Sequence, residues 1–331
     1  MRKAGLMKIL FCAICCFTIS IGSQHDEIPN SNQLLGVKEK IVTNYNYEEK
    51  FGSYVVSSKN ETIYKYDLES NEVEIEKYLD NIIWYQEIKY FDDSNNLAKT
   101  IGYYLLSGDS SKTEFHYNEY NKLVEQIHYE FDGSVKQIEK LKYDNSDNLI
   151  DESHFDKNGN SIENVIGYHK SVSKYNEFND IVEKTFYSIS GIPDDENLFG
   201  FSKMITEYDS KHRIIGEKSI LSNGNIISES THTYNSSSNK IINTVQLGID
   251  GQVISYTKFD YDPNGNILTS VTIDASKNNL DTPYSMYSFH ITYQYDKSNR
   301  LSELNSFEYV TKFGELVKIP VSKITYEYID F

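Results

Sequence analysis

A short motif that returns along most of the chain constrains its fold more than any other feature. An aromatic residue is followed by Asp or Asn, then by a short polar turn and an aliphatic residue, and successive copies lie about 26 or about 33 residues apart. Fixed periods of this size are typical of repeat architectures. The copies are Tyr66-Asp67, Phe91-Asp92, Tyr117-Asn118, Tyr143-Asp144, Tyr175-Asn176, Tyr208-Asp209, Tyr234-Asn235, Tyr261-Asp262 and Tyr295-Asp296.

The residues of one copy predict a tight turn. After Tyr261, Asp262 can accept a hydrogen bond from a backbone N–H two residues further on, and Pro263 presets φ for the first turn position. Gly265 supplies a residue with positive φ, and Asn, the next most tolerant residue type, stands there in other copies, as Asn299 does after Tyr295-Asp296. We therefore expect the following residues to form the turns: Tyr143, Asp144, Tyr208, Asp209, Tyr261, Asp262, Gly265, Tyr295, Asp296 and Asn299.

Composition and a second set of turns predict that the segments between the turns are strands. The chain has 28 tyrosines but four alanines, and tyrosine favours strands whereas alanine favours helices. A hairpin signal lies midway between motifs, as in Asp132-Gly133 and Asp250-Gly251. Each period therefore predicts turn, strand, turn, strand. The strands carry polar residues on both faces, so we expect an all-β, elongated or spiralling array of antiparallel β-hairpins, with a partial hollow shell as one form of it.

The motif resembles the YD repeat of RHS-type proteins. Tyr261-Asp262-Pro263-Asn264-Gly265-Asn266-Ile267 and the segment from Tyr295 to Leu301 are the copies most similar to it, and the resemblance covers about residues 60–331. It implies an antiparallel β ribbon wound into a spiral, which encloses a cocoon in large members, and a secreted setting. It implies no activity, and this chain has no segment that resembles the toxin domain of large members.

The first residues predict export. Arg2, Lys3 and Lys8 precede an apolar run from Ile9 to Ile19, and small residues stand before a cut after Gly22. This pattern indicates a secretory signal peptide over residues 1–22, followed by a polar linker over 23–40 and the repeat array over 41–331. We expect a secreted, periplasmic or cell-surface protein without a transmembrane segment, and a lipid anchor is disfavoured because no small residue precedes Cys12, Cys15 or Cys16.

The remaining residues predict no catalytic, cofactor or metal site. All three cysteines lie in the leader, and the eight histidines show no spacing typical of metal ligands. The sequence has no phosphate-binding loop or dinucleotide fingerprint. A formal charge of −17 argues against nucleic acid as a partner, because phosphate binding needs clustered Lys and Arg. We expect the turn residues to matter more for stability than most of the histidines.

Three functional hypotheses follow. The first is a secreted, non-catalytic β-repeat protein that offers an extended surface to a protein or a cell-surface glycan. The second is a polysaccharide hydrolase whose carboxylates are gathered by the fold, since such pairs need no fixed sequence spacing. The third is an outer-membrane β-barrel, which requires an apolar face on every strand. The segment from Asn148 to His154 does not show that alternation.

Overall fold

The protein is all-β and antiparallel, as the sequence predicts. The computed structural model describes residues 34–275 and 289–331, so the predicted signal peptide and most of the predicted linker lie outside the described residues. Within them are twenty strands, and the described part contains no α-helix. The strands are β1 (Val37–Lys50), β2 (Ser53–Tyr66), β3 (Glu72–Leu79), β4 (Ile82–Phe91), β5 (Leu97–Tyr104), β6 (Asp109–Tyr117), β7 (Leu123–Tyr129), β8 (Val135–Tyr143), β9 (Leu149–Phe155), β10 (Lys170–Tyr175), β11 (Ile181–Tyr187), β12 (Lys203–Tyr208), β13 (Ile214–Ile220), β14 (Ile226–Tyr234), β15 (Ile241–Leu247), β16 (Val253–Tyr261), β17 (Ile267–Asp274), β18 (Phe289–Tyr295), β19 (Leu301–Lys312) and β20 (Glu315–Asp330).

The sheet closes on itself. Each strand pairs with the next one along the chain, and β20 then pairs with β1 from Val37 opposite Asp330 to Asn46 opposite Ser322. This last pairing satisfies the two edges that an open or spiralling array would leave unpaired. The sheet is therefore a closed barrel of 20 strands, and not the elongated or spiralling array that the sequence predicts.

The barrel is hollow. The extensive contacts between strands are all between ring neighbours, and few apolar side chains among the described residues are buried. Twenty strands about 4.8 Å apart give a circumference of at least about 96 Å, or at least about 30 Å across for a circular ring, because strand tilt only widens a barrel. Such a ring is too wide for side chains alone to fill, in contrast to a barrel of eight strands.

The two faces of the wall differ in chemistry. Directly paired residues share a face, and one face carries Ser171, Glu217, Ser230 and His232, whereas the other carries Lys–Glu pairs such as Lys218 with Glu229. Most of the buried polar residues lie on the first face. Side chains converge on the inside of a curved sheet, so we assign this face to the interior and name it the inner wall. The charged face is then the outer wall.

Two long loops carry a small apolar core at one end of the ring. They connect β9 to β10 (residues 156–169) and β11 to β12 (residues 188–202). Tyr168, Phe186 and Phe201 pack together there, with Met204 and Ile227 against them. These loops lie at the end opposite the Tyr-Asp turns, because every Tyr-Asp turn joins an even-numbered strand to the next odd-numbered one.

Candidate functional site

The Tyr-Asp turns share one hydrogen-bond pattern. In the turn after β16, Asp262 Oδ1 accepts from the backbone N–H of Asn266 at 2.9 Å, and Asp262 Oδ2 accepts from Asn266 Nδ2 at 2.9 Å. Gly265 in this turn has a φ of 86°, and Asn299 has a φ of 62° at the same position of its turn. Asp144, Asp209 and Asp296 make the same two bonds to the residue four positions further on, which is Asn148, Arg213 or Arg300.

The tyrosines of the motif link neighbouring hairpins. The hydroxyl of Tyr261 donates to the carbonyl oxygen of Ile241, the first residue of β15, at 2.7 Å. The same bond recurs in other copies, so each hairpin is tied to the preceding one by a side chain as well as by the sheet. Further members of this ladder are Tyr117 to Leu97, Tyr143 to Leu123, Tyr175 to Leu149, Tyr208 to Ile181, Tyr234 to Ile214, Tyr295 to Ile267 and Tyr328 to Leu301.

The turns also bond to one another around the rim. Asn266 Nδ2 donates to Asn299 Oδ1 at 2.6 Å, and Asn148 Nδ2 donates to Asn179 Oδ1 at 2.9 Å. The residues picked out by the repeat therefore form a structural rim. The structure does not bring them together into a ligand site.

A different set of residues does converge, on the inner wall near the β9–β10 loop. We name Gln137, Glu139, Glu152, His154 and Tyr168 the inner-wall cluster. Glu139 lies directly opposite His154 across β8 and β9, and Glu152 precedes His154 by two residues on the same face. His154 is 2% exposed because the β9–β10 loop covers it.

Polar partners hold both edges of the His154 ring. Gln137 Nε2 lies 2.9 Å from His154 Nδ1, while Glu152 Oε1 lies 3.2 Å from His154 Nε2. Asn164 Nδ2, from the covering loop, lies 3.1 Å from the same Nε2 atom. The hydroxyl of Tyr168 donates to Glu152 Oε1 at 2.9 Å. Both hydrogen-bonding atoms of the imidazole and one carboxylate oxygen are thus fixed in place.

The two carboxyl groups of the cluster have opposite electrostatic environments. Burial, and then the negative charge of Glu152, raise the pKa of Glu139. The hydrogen bond from His154 lowers the pKa of Glu152 against the effect of burial. Titratable groups whose pKa values are pushed apart are typical of functional sites, although ion-pair networks do this as well.

An aromatic surface lies beside the cluster. Phe199 is 36% exposed, and its ring lies 6.4 Å from the ring of Tyr168 in a stacked orientation. Phe201 stacks on Phe199 at 5.7 Å. The site thus combines fixed hydrogen-bond acceptors with a partly exposed aromatic ring, and a ligand that has both hydroxyl groups and an apolar face could use both.

A second Glu–His pair lies further along the inner wall. His232 Nε2 is 3.6 Å from Glu217 Oε2, and His232 Nδ1 is 3.0 Å from Thr244 Oγ1. In the described part of the chain, no group of three or more His, Cys, Asp or Glu residues could hold a metal ion. Nor does that part contain a helix long and apolar enough to cross a bilayer.

No family model matches the sequence, and no curated protein matches it either. Among solved structures, a chain of the Photorhabdus luminescens Tc holotoxin pore is similar over 83% of this chain, with 12% identity and a TM-score of 0.37. This chain spans 16% of that Tc chain. A porin-like protein from Bacteroides uniformis is similar over 89% of this chain and 97% of its own, with 8% identity and a TM-score of 0.36.

Sequence reasoning missed the inner-wall cluster. His154 and Glu152 are close in the sequence, but Gln137 and Glu139 come from β8 and Tyr168 from a loop. Which strand face turns inward also depends on the register of the closed ring. The one signal in the sequence was the pairing of Glu and His two residues apart at Glu152–His154.

Proposed function

We propose that the protein is an exported, non-catalytic shell of the YD-repeat type that binds a glycan on its inner wall. The observation that carries this proposal is the inner-wall cluster beside Phe199. Carboxylate, amide and hydroxyl groups held at fixed positions can pair with the hydroxyl groups of a sugar, and an aromatic ring can lie against its apolar face.

The hollow form supports this choice of ligand. A sugar chain is hydrated and uncharged or weakly charged, so it can enter a ring whose inner wall carries hydroxyl, carboxamide and carboxylate groups, such as those of Ser230, Gln137 and Glu217, without losing much of its hydration. A formal charge of −17 disfavours polyanions. The repeat resemblance and the predicted leader support export.

Binding measurements on matched variants test the proposal. We expect the protein to bind members of a panel of neutral oligosaccharides in calorimetry, and Glu152→Gln and Phe199→Ala each to weaken binding at least tenfold. Glu217→Gln changes the other inner-wall carboxylate beside a histidine and serves as the control, with affinity unchanged. Equal affinity in all four proteins, or no binding to any oligosaccharide, would contradict the proposal.

The same samples separate binding from hydrolysis. The opposite pKa shifts of Glu139 and Glu152 are also the arrangement that an acid and base pair would have. New reducing ends released by the wild type and lost in Glu152→Gln would favour the polysaccharide hydrolase over the binding protein. Intact oligosaccharide recovered after prolonged incubation would favour binding alone.

The outer-membrane barrel is the second candidate, and the closed ring of 20 strands favours it. The outer wall favours a water-exposed shell instead, because Lys218–Glu229 and Lys203–Glu183 lie on it and charges are costly against lipid. Membrane fractionation distinguishes the two. A barrel that spans the membrane stays with it after a urea wash and requires detergent, whereas a shell is recovered in the soluble fraction or released by the wash.

A further inference from the structure

The two hairpins beside the closure of the ring are longer than the others. β1 and β2 have 14 residues each, β19 has 12 and β20 has 16, while the other strands have 6–10. β1 pairs with β20 as far as Asn46 opposite Ser322, and beyond these residues each hairpin pairs within itself and not with the other. The two hairpins therefore extend past the ring as neighbouring arms, at the end opposite the Tyr-Asp turns.

Both hairpins end in the same three residues. The tips are Lys50-Phe51-Gly52 and Lys312-Phe313-Gly314. Each phenylalanine is 106% exposed relative to a fully accessible residue. The backbone of Phe51 has a φ of 52° and that of Phe313 a φ of 53°.

Phenylalanine is an unfavourable choice at these positions. A two-residue turn with positive φ at both central positions normally takes Asn, Asp or Gly first, because bulky residues are strained there. The chain uses Phe twice and gains no packing from either ring. Backbone strain combined with a fully exposed aromatic side chain, found at two adjacent tips, indicates a functional role for the rings.

The surroundings of the tips favour a lipid surface as the partner. Lys50 pairs with Glu48, and Lys312 Nζ lies 2.7 Å from Glu49 Oε2 and 3.1 Å from the hydroxyl of Tyr54, so the tips are locally close to neutral. Tyr54 is paired with Glu49, two residues behind the Phe51-Gly52 turn, so it lies about 7 Å back along the hairpin from the tip. Tyrosine is enriched at such a position in membrane interfaces, close behind the inserted apolar residues.

The arrangement suits a bilayer better than a pocket on a protein. The two rings sit on separate tips, whereas a bilayer accepts any number of apolar side chains at any spacing. Tyr47, Tyr54, Val310 and Ile319 line a cleft of about 490 Å³ between the hairpins, so the surface behind the tips is amphipathic. The overall charge of −17 disfavours anionic lipid.

We propose that Phe51 and Phe313 insert into the interface of a zwitterionic lipid bilayer and hold the ring reversibly at its surface. The barrel wall itself stays in water, so this is peripheral binding through two tips. The proposal is independent of any glycan bound inside the ring.

Vesicles of phosphatidylcholine provide the probe. In sedimentation with the full chain, Phe51→Asn and Phe313→Asn should each lower the partition coefficient about tenfold, and the double variant about a hundredfold. Asn followed by Gly is the preferred pair for such a turn, so these variants should fold at least as well as the wild type. Phe131→Asn is the matched control, because Phe131 is an exposed phenylalanine in a short turn at the same end of the ring.

A fluorescence measurement gives an independent readout. In a Trp84→Phe background, Phe313→Trp should shift its emission to the blue with phosphatidylcholine vesicles and be quenched by brominated acyl chains, while Phe131→Trp should do neither. Wild-type protein that does not sediment with vesicles, a double variant that binds within twofold of it, or a Trp at position 313 that stays in water would each overturn the proposal.

Discussion

Replacing Gly265 with valine should destabilise the fold through the backbone of one turn. Gly265 has a φ of 86° in the turn after β16. A β carbon added there would approach Lys240 Cε at 3.3 Å and Lys240 Nζ at 3.9 Å. These atoms are the mobile end of a long side chain and can move aside, so steric contact is the smaller part of the cost.

The backbone angle sets the magnitude. A β-branched residue held at positive φ costs about 1–3 kcal/mol, whereas asparagine tolerates this region best among residues with a β carbon. The chain itself shows this tolerance, because Asn95, Asn121, Asn179 and Asn299 occupy the equivalent position with φ between 62° and 66°. Gly265→Asn is therefore the matched control, and its cost should stay below about 0.5 kcal/mol.

Chemical denaturation with urea measures both variants. The midpoint should fall for Gly265→Val and stay near the wild-type value for Gly265→Asn, with the same slope for all three proteins. If valine and asparagine destabilise equally, the cost lies in filling space near Lys240 and the backbone argument is refuted. A neutral Gly265→Val would refute the turn assignment itself.

Further predictions concern hydrogen bonds and titration. Tyr261→Phe removes the bond to Ile241 and should cost about 1 kcal/mol in the same urea assay. Burial raises the pKa of Tyr261 to about 12, so this tyrosine keeps its proton in the folded protein but ionises near pH 10 in the unfolded chain. The free energy of unfolding should therefore fall between about pH 10 and pH 12, and it should fall less steeply in Tyr261→Phe. The hydrogen bond from Arg213 lowers the pKa of Asp209 to about 2, so stability should be lost as the pH falls from about 4 to about 2, and Asp209→Asn should flatten that dependence in thermal melts. His154→Ala should lower the free energy of unfolding by about 2–4 kcal/mol, more than Gly265→Val does, because it leaves a cavity and unpaired polar groups. Replacing any of the other histidines with alanine should cost less than Gly265→Val. A strong chelator should leave the melting temperature unchanged, and a drop of many degrees would reveal a metal site.

The Tyr-Asp turns could be predicted from the sequence because the residues that determine each turn are close together in it. Asp262, Asn266 and Gly265 lie within five residues, and their side chains and backbone preferences determine the turn. Repetition of that turn, with few alanines between, was enough for the all-β prediction. The sequence predicts that the turn residues matter more for stability than most of the histidines, and we expect His154 to be an exception because a loop covers it.

The closure of the ring and the inner-wall cluster could not be predicted from the sequence, because both depend on pairing between strands that are distant in the sequence. Closure requires Val42 of β1 to pair with Tyr326 of β20, and nothing near either residue specifies the other. The inner-wall cluster depends on that closure, since it decides which face is concave. The paired Lys-Phe-Gly tips were visible as a repeated tripeptide, but their full exposure and positive φ were not.

The pairing of β1 with β20 also has a consequence for the order of folding. Hairpins of strands that are neighbours in the sequence can form early, in about 1–10 μs. The seam between the first and last strands joins the most distant segments, and the backbone N–H of Phe331 completes it by donating to the carbonyl of Gly36 at 3.0 Å. Until β20 emerges, the growing sheet carries two unpaired edges that can join other chains. The sheet is therefore most prone to aggregate before β20 pairs with β1, and a factor that shields strand edges would act at that stage of folding.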